Sequence, residues 1–138
     1  MLLFGTQRIL DSGHLEVGGC DAVELARAFG TPLYVVDEEL LRTRMREYLA
    51  AFRGLYPKVA IAFAGKAFLC TAMARIVEQE GLNLDVASAG ELHTALAAQF
   101  PAERISLHGT NKSIAETELA LDSGVGRIIF DNLLELER

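Results

Sequence analysis

The sequence predicts an α/β chain organised around a parallel sheet, and three observations predict it. Short apolar runs begin near residues 33, 59, 82, 104 and 126, a recurrence of about 22–26 residues. Each run is followed by a stretch with helical periodicity, and strands alternating with helices in this way mark βαβ units. The runs are apolar at successive positions, as expected when helices cover both faces of a parallel sheet. Two architectures satisfy these observations: a doubly wound open sheet, or part of an eight-stranded barrel.

The elements follow in order. Residues 8–19 read as a hairpin, with turn chemistry at Asp11-Ser12-Gly13 between Ile9-Leu10 and the alternating segment 15–17. Asp21 is a helix N-cap with Glu24 three residues on; Val23, Leu25, Ala26 and Phe29 follow, and Gly30 stops the helix. The β-rich run 32–36 predicts a short strand. Residues 38–52 have helical periodicity through Leu40, Leu41, Met45, Tyr48 and Leu49. A continuous apolar strand spans 59–63, and a helix spans 69–80, ended by Gly81. A strand at 82–87 precedes a helix at 90–100 that Pro101 closes, and a strand at 104–107 precedes a helix at 113–123 with Gly124 just past its end. A last strand is expected at 126–130, with a new helix from Asn132.

Composition narrows the function. Thirteen Lys and Arg stand against 19 Asp and Glu, a net charge of −6, and 51% of the residues are apolar. That much apolar content argues against disorder. The negative balance argues against the basic face that nucleic acid requires and against the polybasic surface that binds anionic membranes. Cys20 and Cys70 have neither metal-site spacing nor the number for a disulfide framework, so a reduced, cytoplasmic setting is expected. The N-terminus lacks a basic start followed by an apolar run of about 7–15 residues, the pattern of a signal peptide. The apolar run 59–64 is far shorter than the roughly 20 residues that span a bilayer. No Glu/His helical pair indicates a metal.

In parallel α/β folds, chemistry collects at the carboxyl ends of the strands. Lys66 follows the strand at 59–63 and is the one charged residue between Lys58 and Arg75. Its neighbours Phe63, Phe68 and Leu69 are expected to desolvate it, which favours the neutral amine that forms a Schiff base with an aldehyde. The alternative is a lysine that snorkels its ammonium out of an apolar surface. Asp85 falls inside an apolar strand, where a carboxylate needs a partner, and Lys66 is the candidate. His108 follows a strand directly and is either a site residue or a satisfied structural histidine; His14 and His93 are expected on the surface. Ser88/Glu91 and Ser113/Glu116 both have capping-box spacing. The segment 109–113 has a superficial likeness to a phosphate-binding loop but lacks its glycines, and no Gly-x-Gly-x-x-Gly follows a strand.

These residues resemble a known family. Phe63-Ala64-Gly65-Lys66-Ala67, followed by Leu84-Asp85-Val86-Ala87-Ser88-Ala89-Gly90-Glu91-Leu92, looks like the start of a fold-type III pyridoxal-phosphate decarboxylase. Gly30-Thr31-Pro32-Leu33-Tyr34-Val35, His108-Gly109-Thr110-Asn111-Lys112-Ser113 and Gly124-Val125-Gly126-Arg127-Ile128 match the same pattern, so the resemblance covers essentially the whole chain. Within this group it is most similar to the diaminopimelate decarboxylases, which make L-lysine and CO2 from meso-2,6-diaminopimelate. Phe63 stands where tyrosine is common in the family, a departure that leaves the lysine in place.

The resemblance implies a (β/α)8 barrel of the alanine racemase-like type and a second all-β domain. Residues 1–36 would be associated with the β domain, and 37–138 would form the first half of the barrel. It implies pyridoxal 5'-phosphate as cofactor, an amino-acid substrate and a homodimer. Lys66 would hold the cofactor and act in catalysis, with Asp85 and His108 in the cofactor site and Asp131 near the fourth strand end. The groups that bind the phosphate, the pyridine nitrogen and the substrate would lie beyond residue 138, so the isolated chain is expected to be inactive. Ornithine, arginine or carboxynorspermidine decarboxylases, or a non-catalytic cofactor-binding homologue, are the alternatives.

Overall fold

The computed structural model describes residues 2–137. The chain divides into two compact units, one running to Ala51 and the other starting at Phe52. In the first, β1 (Arg8–Ile9), β2 (Leu15–Val17) and β3 (Cys20–Asp21) form an antiparallel sheet in that order. The expected hairpin forms, with Ile9 opposite Leu15 and Gly13 at φ 81°, a conformation open to a residue without Cβ. β3 has no precedent in the sequence pattern, because two residues are too few to display a period.

Helix α1 (Ala22–Phe29) starts where expected, the Asp21 carboxylate accepting the backbone N–H groups of Val23 and Glu24. His14 is half-buried rather than a free surface residue. Its Nδ1 lies 2.8 Å from Asp21 Oδ2. This hydrogen bond, with the two backbone donors, holds the Asp21 carboxyl below its usual range.

The predicted strand at 32–36 does not form. The segment has no strand partner among the described residues, and Tyr34 is 99% exposed. β-branched and aromatic residues favour a strand only where a neighbour and a buried face exist, and here neither does. Helix α2 (Glu38–Leu55) begins at Asp37, whose Oδ1 accepts the Leu40 N–H.

The second unit alternates β4 (Ala62–Ala64), α3 (Thr71–Gln79), β5 (Asn83–Val86), α4 (Ala89–Ala97), β6 (Ile105–His108), α5 (Ile114–Asp122), β7 (Arg127–Ile129) and α6 (Leu133–Glu137). The four strands are all parallel and lie side by side in chain order. Right-handed crossovers between strands in sequential order put every connecting helix on one face. That is the winding of a barrel; a doubly wound sheet reverses its strand order to reach the other face.

Burial follows from this winding. Leu84 and Val86 of β5 and Leu107 of β6 are fully buried, as are Ala74 and Val77 of α3 and Leu92 and Ala95 of α4. Each large apolar side chain so buried contributes roughly 1.5–3 kcal/mol. Alternate residues of a strand face opposite sides, and β5 reads half-buried, buried, half-buried, buried from Asn83 to Val86. The expectation of helices on both faces is therefore corrected. Helices cover one face, and Asn83 and Asp85 stand on the other. Among the described residues no helix is long and apolar enough to cross a membrane, and no cluster of metal-ligating side chains occurs.

Candidate active site

The strand registers bring the predicted residues to one edge of the sheet. Ala64 pairs with Asp85, Asp85 with Ser106, and His108 with Ile129. His108 lies two residues beyond Ser106, so it occupies the same face as Asp85, one step nearer the carboxyl end. Its Nδ1 is 3.6 Å from Asp85 Oδ2, an ion-pair separation longer than a hydrogen bond. Both side chains remain partly open, 49% exposed for His108 and 28% for Asp85. The expected Asp85–Lys66 pairing is thus replaced by Asp85–His108, because the register sets the aspartate diagonal to the histidine.

Lys66 sits just past β4 in the short turn Gly65–Ala67. It is exposed, so the expected desolvation by its apolar neighbours is corrected. Phe68 is itself 51% exposed and Leu69 only half-buried, and neither wraps the amine. The turn that carries Lys66 is nevertheless tightly placed. Gly65 is buried, and a Cβ there would stand 3.1 Å from the Asp85 carbonyl oxygen, 3.2 Å from Leu69 Cδ2 and 3.4 Å from Glu91 Oε2. The backbone beside Lys66 therefore lies directly on the end of β5.

Glu91 joins the site unexpectedly. Ser88 caps α4 by accepting the Glu91 N–H, as its spacing predicts. The Glu91 carboxylate does not return the bond to Ser88. Its Oε2 accepts the Ala87 N–H at 2.7 Å, beside Gly65. Ser113 and Glu116 do form the reciprocal box. Nothing in the local spacing separates the two cases, because both read Ser-x-x-Glu.

Asp131 is not gathered with the others. It is exposed beyond β7, and its backbone N–H donates to Glu135 Oε2. His93 is on the surface, as expected. Lys112, from the segment that superficially resembles a phosphate loop, is turned inward, with its side chain 3% exposed. A cavity of about 220 Å³ at α5 and α6 has Lys112, Phe130 and Glu135 in its wall, and none of Lys66, Asp85 or His108.

The edge so built presents a primary amine, a carboxylate, an imidazole and a second carboxylate from three consecutive strand ends. An exposed amine on a rigid turn can capture an aldehyde, and the carboxylates can balance positive charge developed beside it. This donor set fits the aldehyde end of pyridoxal phosphate.

Comparison with known proteins agrees with this chemistry. Residues 41–138 match the family described as pyridoxal-dependent decarboxylase, pyridoxal binding domain. The chain is 50% identical over 137 residues to diaminopimelate decarboxylase of Bacillus methanolicus, covering 99% of this chain and 32% of that protein. It is 51% identical over 136 residues to diaminopimelate decarboxylase of Bacillus subtilis (strain 168), covering 99% of this chain and 31% of that protein. The chain therefore spans about a third of the length of these relatives. Among solved structures it is similar to the diaminopimelate decarboxylase of M. jannaschii in complex with L-lysine. That match has a TM-score of 0.87 and 32% identity, over 95% of this chain and 31% of the other.

Proposed function

Because this chain belongs to the pyridoxal-dependent decarboxylase family, through its pyridoxal-binding domain, we propose that its protein decarboxylates meso-2,6-diaminopimelate to L-lysine and CO2. The observation that carries the reading is the convergence of Lys66, Asp85, His108 and Glu91 at the carboxyl ends of adjacent parallel strands. The match of nearly all of this chain, at about 50% identity, to about a third of the length of two diaminopimelate decarboxylases supports the choice of substrate. Ornithine and arginine decarboxylation are the neighbouring reactions to be assayed beside it.

When bound, pyridoxal phosphate supplies the electron sink for the pair left on the α-carbon as CO2 departs. Lys66 would hold that group through its amine, on an exposed turn just past β4. The Lys66 amine would also serve to hold the proton that takes the place of the lost carboxylate at the α-carbon. The overall balance is one proton consumed for each CO2 released. Asp85 places a carboxylate beside the site, and His108 stands next to it with Nδ1 3.6 Å from Asp85 Oδ2. Glu91 braces the Lys66 turn through the backbone of Ala87. No described residue is assigned to the phosphate or the substrate carboxylate, and a homodimer is part of the proposal. Cys20 and Cys70 are free thiols, which suits a reducing, cytoplasmic compartment.

The test is direct. The full-length protein is incubated with pyridoxal phosphate and each amino acid, and lysine, putrescine and agmatine are quantified. Borohydride reduction followed by peptide mapping then locates the cofactor. Lysine as the dominant product and a pyridoxyl group on Lys66 are expected. A pyridoxyl group on Lys58 or Lys112 overturns the site, and putrescine or agmatine in place of lysine overturns the substrate.

A further inference from the structure

We propose that Lys112 and Glu135 form a buried positioning pair that holds the turn after β6, and so holds His108 against Asp85; this rests on the reading above. Lys112 lies four residues past His108, yet its side chain is 3% exposed and that of Glu135 is 7% exposed. A buried ammonium is tolerated only when its donors are used. Here Nζ donates to the Gly109 carbonyl oxygen at 2.7 Å and to Glu135 Oε2 at 2.8 Å, and it stands 5.8 Å from the centre of the Phe130 ring. Glu135 Oε2 also accepts the Asp131 N–H at 3.1 Å. One ion pair thus ties the turn after β6 to the turn after β7.

The Gly109 end of this tie is what reaches the site. Gly109 follows His108 directly, and a Cβ on it would stand 3.1 Å from the Ala87 carbonyl oxygen. The peptide that Lys112 grips is therefore wedged against the turn after β5, whose Ala87 N–H is held by Glu91. The Asp85–His108 separation of 3.6 Å has no hydrogen bond of its own to fix it. What places the two groups is the backbone on either side, and Lys112 supplies the constraint on the histidine's carboxyl-terminal side. The Glu135 carboxyl is held below its usual range, first by the Lys112 hydrogen bond. Lys112 and Glu135 touch none of Lys66, Asp85 or His108 in this arrangement, and both are positioning residues.

The experiment compares wild type, Lys112→Met and the paired variant Lys112→Met/Glu135→Leu in the full-length protein. The single variant strands a buried carboxylate and can fail to fold; the paired variant removes both charges and keeps an apolar filling. Three quantities are read on the paired variant: the melting temperature, amide hydrogen exchange over residues 108–113, and kcat and KM separately. The expected result is a melting temperature near wild type, faster exchange confined to 108–113, and kcat lowered on the order of tenfold to a hundredfold with KM little changed. Wild-type turnover in the paired variant overturns the proposal. So does a loss of activity that merely parallels a loss of folded protein, with no local opening at 108–113. A wild-type protein that makes no lysine sinks the decarboxylase reading instead, while the exchange measurement still reports whether the pair holds the turn.

Discussion

After β6, the Ser113 hydroxyl accepts the Glu116 N–H and the Glu116 carboxylate accepts the Ser113 N–H, a closed reciprocal cap. After β5, one strand earlier, Ser88 and Glu91 have the same spacing and only half of that cap. The Glu91 carboxylate instead reaches the Ala87 N–H beside the Lys66 turn. The second oxygen of Glu116 supplies part of the explanation. It accepts the Ala89 N–H at 3.0 Å, so the later cap also anchors the first residue of α4. With the start of α4 held from outside, Glu91 is released from capping and its charge stands at the site. Two equal local signals acquire different roles because they occupy successive places in the winding.

This contrast can be broken most sharply at Glu91. Glu91→Gln keeps the shape and removes the charge, and turnover is expected to fall on the order of tenfold to a hundredfold with the fold intact. A wild-type rate with a lowered melting temperature would reduce Glu91 to a cap after all. Gly65→Ala probes the same neighbourhood sterically. The added Cβ meets a backbone carbonyl at 3.1 Å and Glu91 at 3.4 Å. Reduced trapping of the pyridoxyl group on Lys66 is expected from mass spectrometry, and undiminished trapping would show that the turn can shift freely.

Glu116 is expected to behave in the opposite way. Glu116→Ala removes the box and the Ala89 anchor, a destabilisation of about 1–2 kcal/mol by denaturant titration. Stability loss from Glu91→Ala matching or exceeding that figure would invert the comparison. The pH dependence sharpens it further. Backbone donors from Ser113 and Ala89 hold the Glu116 carboxyl below its ordinary 4.5. A group whose folded value lies below its unfolded value contributes stability above the unfolded value and loses it as pH falls through the folded one. The stability gap between wild type and Glu116→Gln should therefore be widest near neutral pH and close below about pH 4.5. A gap that persists unchanged at pH 3 would assign the effect to shape alone. The smallest effect is expected at the serines. Ser88→Ala and Ser113→Ala should each cost about 1 kcal/mol, with Ser113 the larger because its cap is reciprocal.

The periodicity of the chain was enough to order its elements. In the second unit, strands and helices fall close to where apolar runs, Ser caps and Gly stops place them, because these signals are local and each acts within one turn of chain; the exception is β4, which starts at Ala62 rather than at residue 59. The strand expected at 32–36 failed for the complementary reason: a strand is defined by its neighbour, and propensity carries no information about whether one is present.

The candidate site was legible to the same extent. Lys66, Asp85 and His108 are identifiable from the sequence as chemistry-bearing residues at strand ends, since the strand ends themselves are visible in the pattern. Which of them meet is a matter of register, and register joins residues more than twenty positions apart. Asp85 therefore faces His108 rather than Lys66. Glu91 was indistinguishable from Glu116 in the sequence, and the inward turn of Lys112 depends on a carboxylate 23 residues away. The sequence alone determined the alternation of elements, the caps and the inventory of reactive groups, because those are set by short-range sterics and hydrogen bonding. Only the tertiary structure decided the single-faced winding, the pairing of charges and the role of each glutamate, because burial and charge compensation come from groups brought together by the parallel sheet.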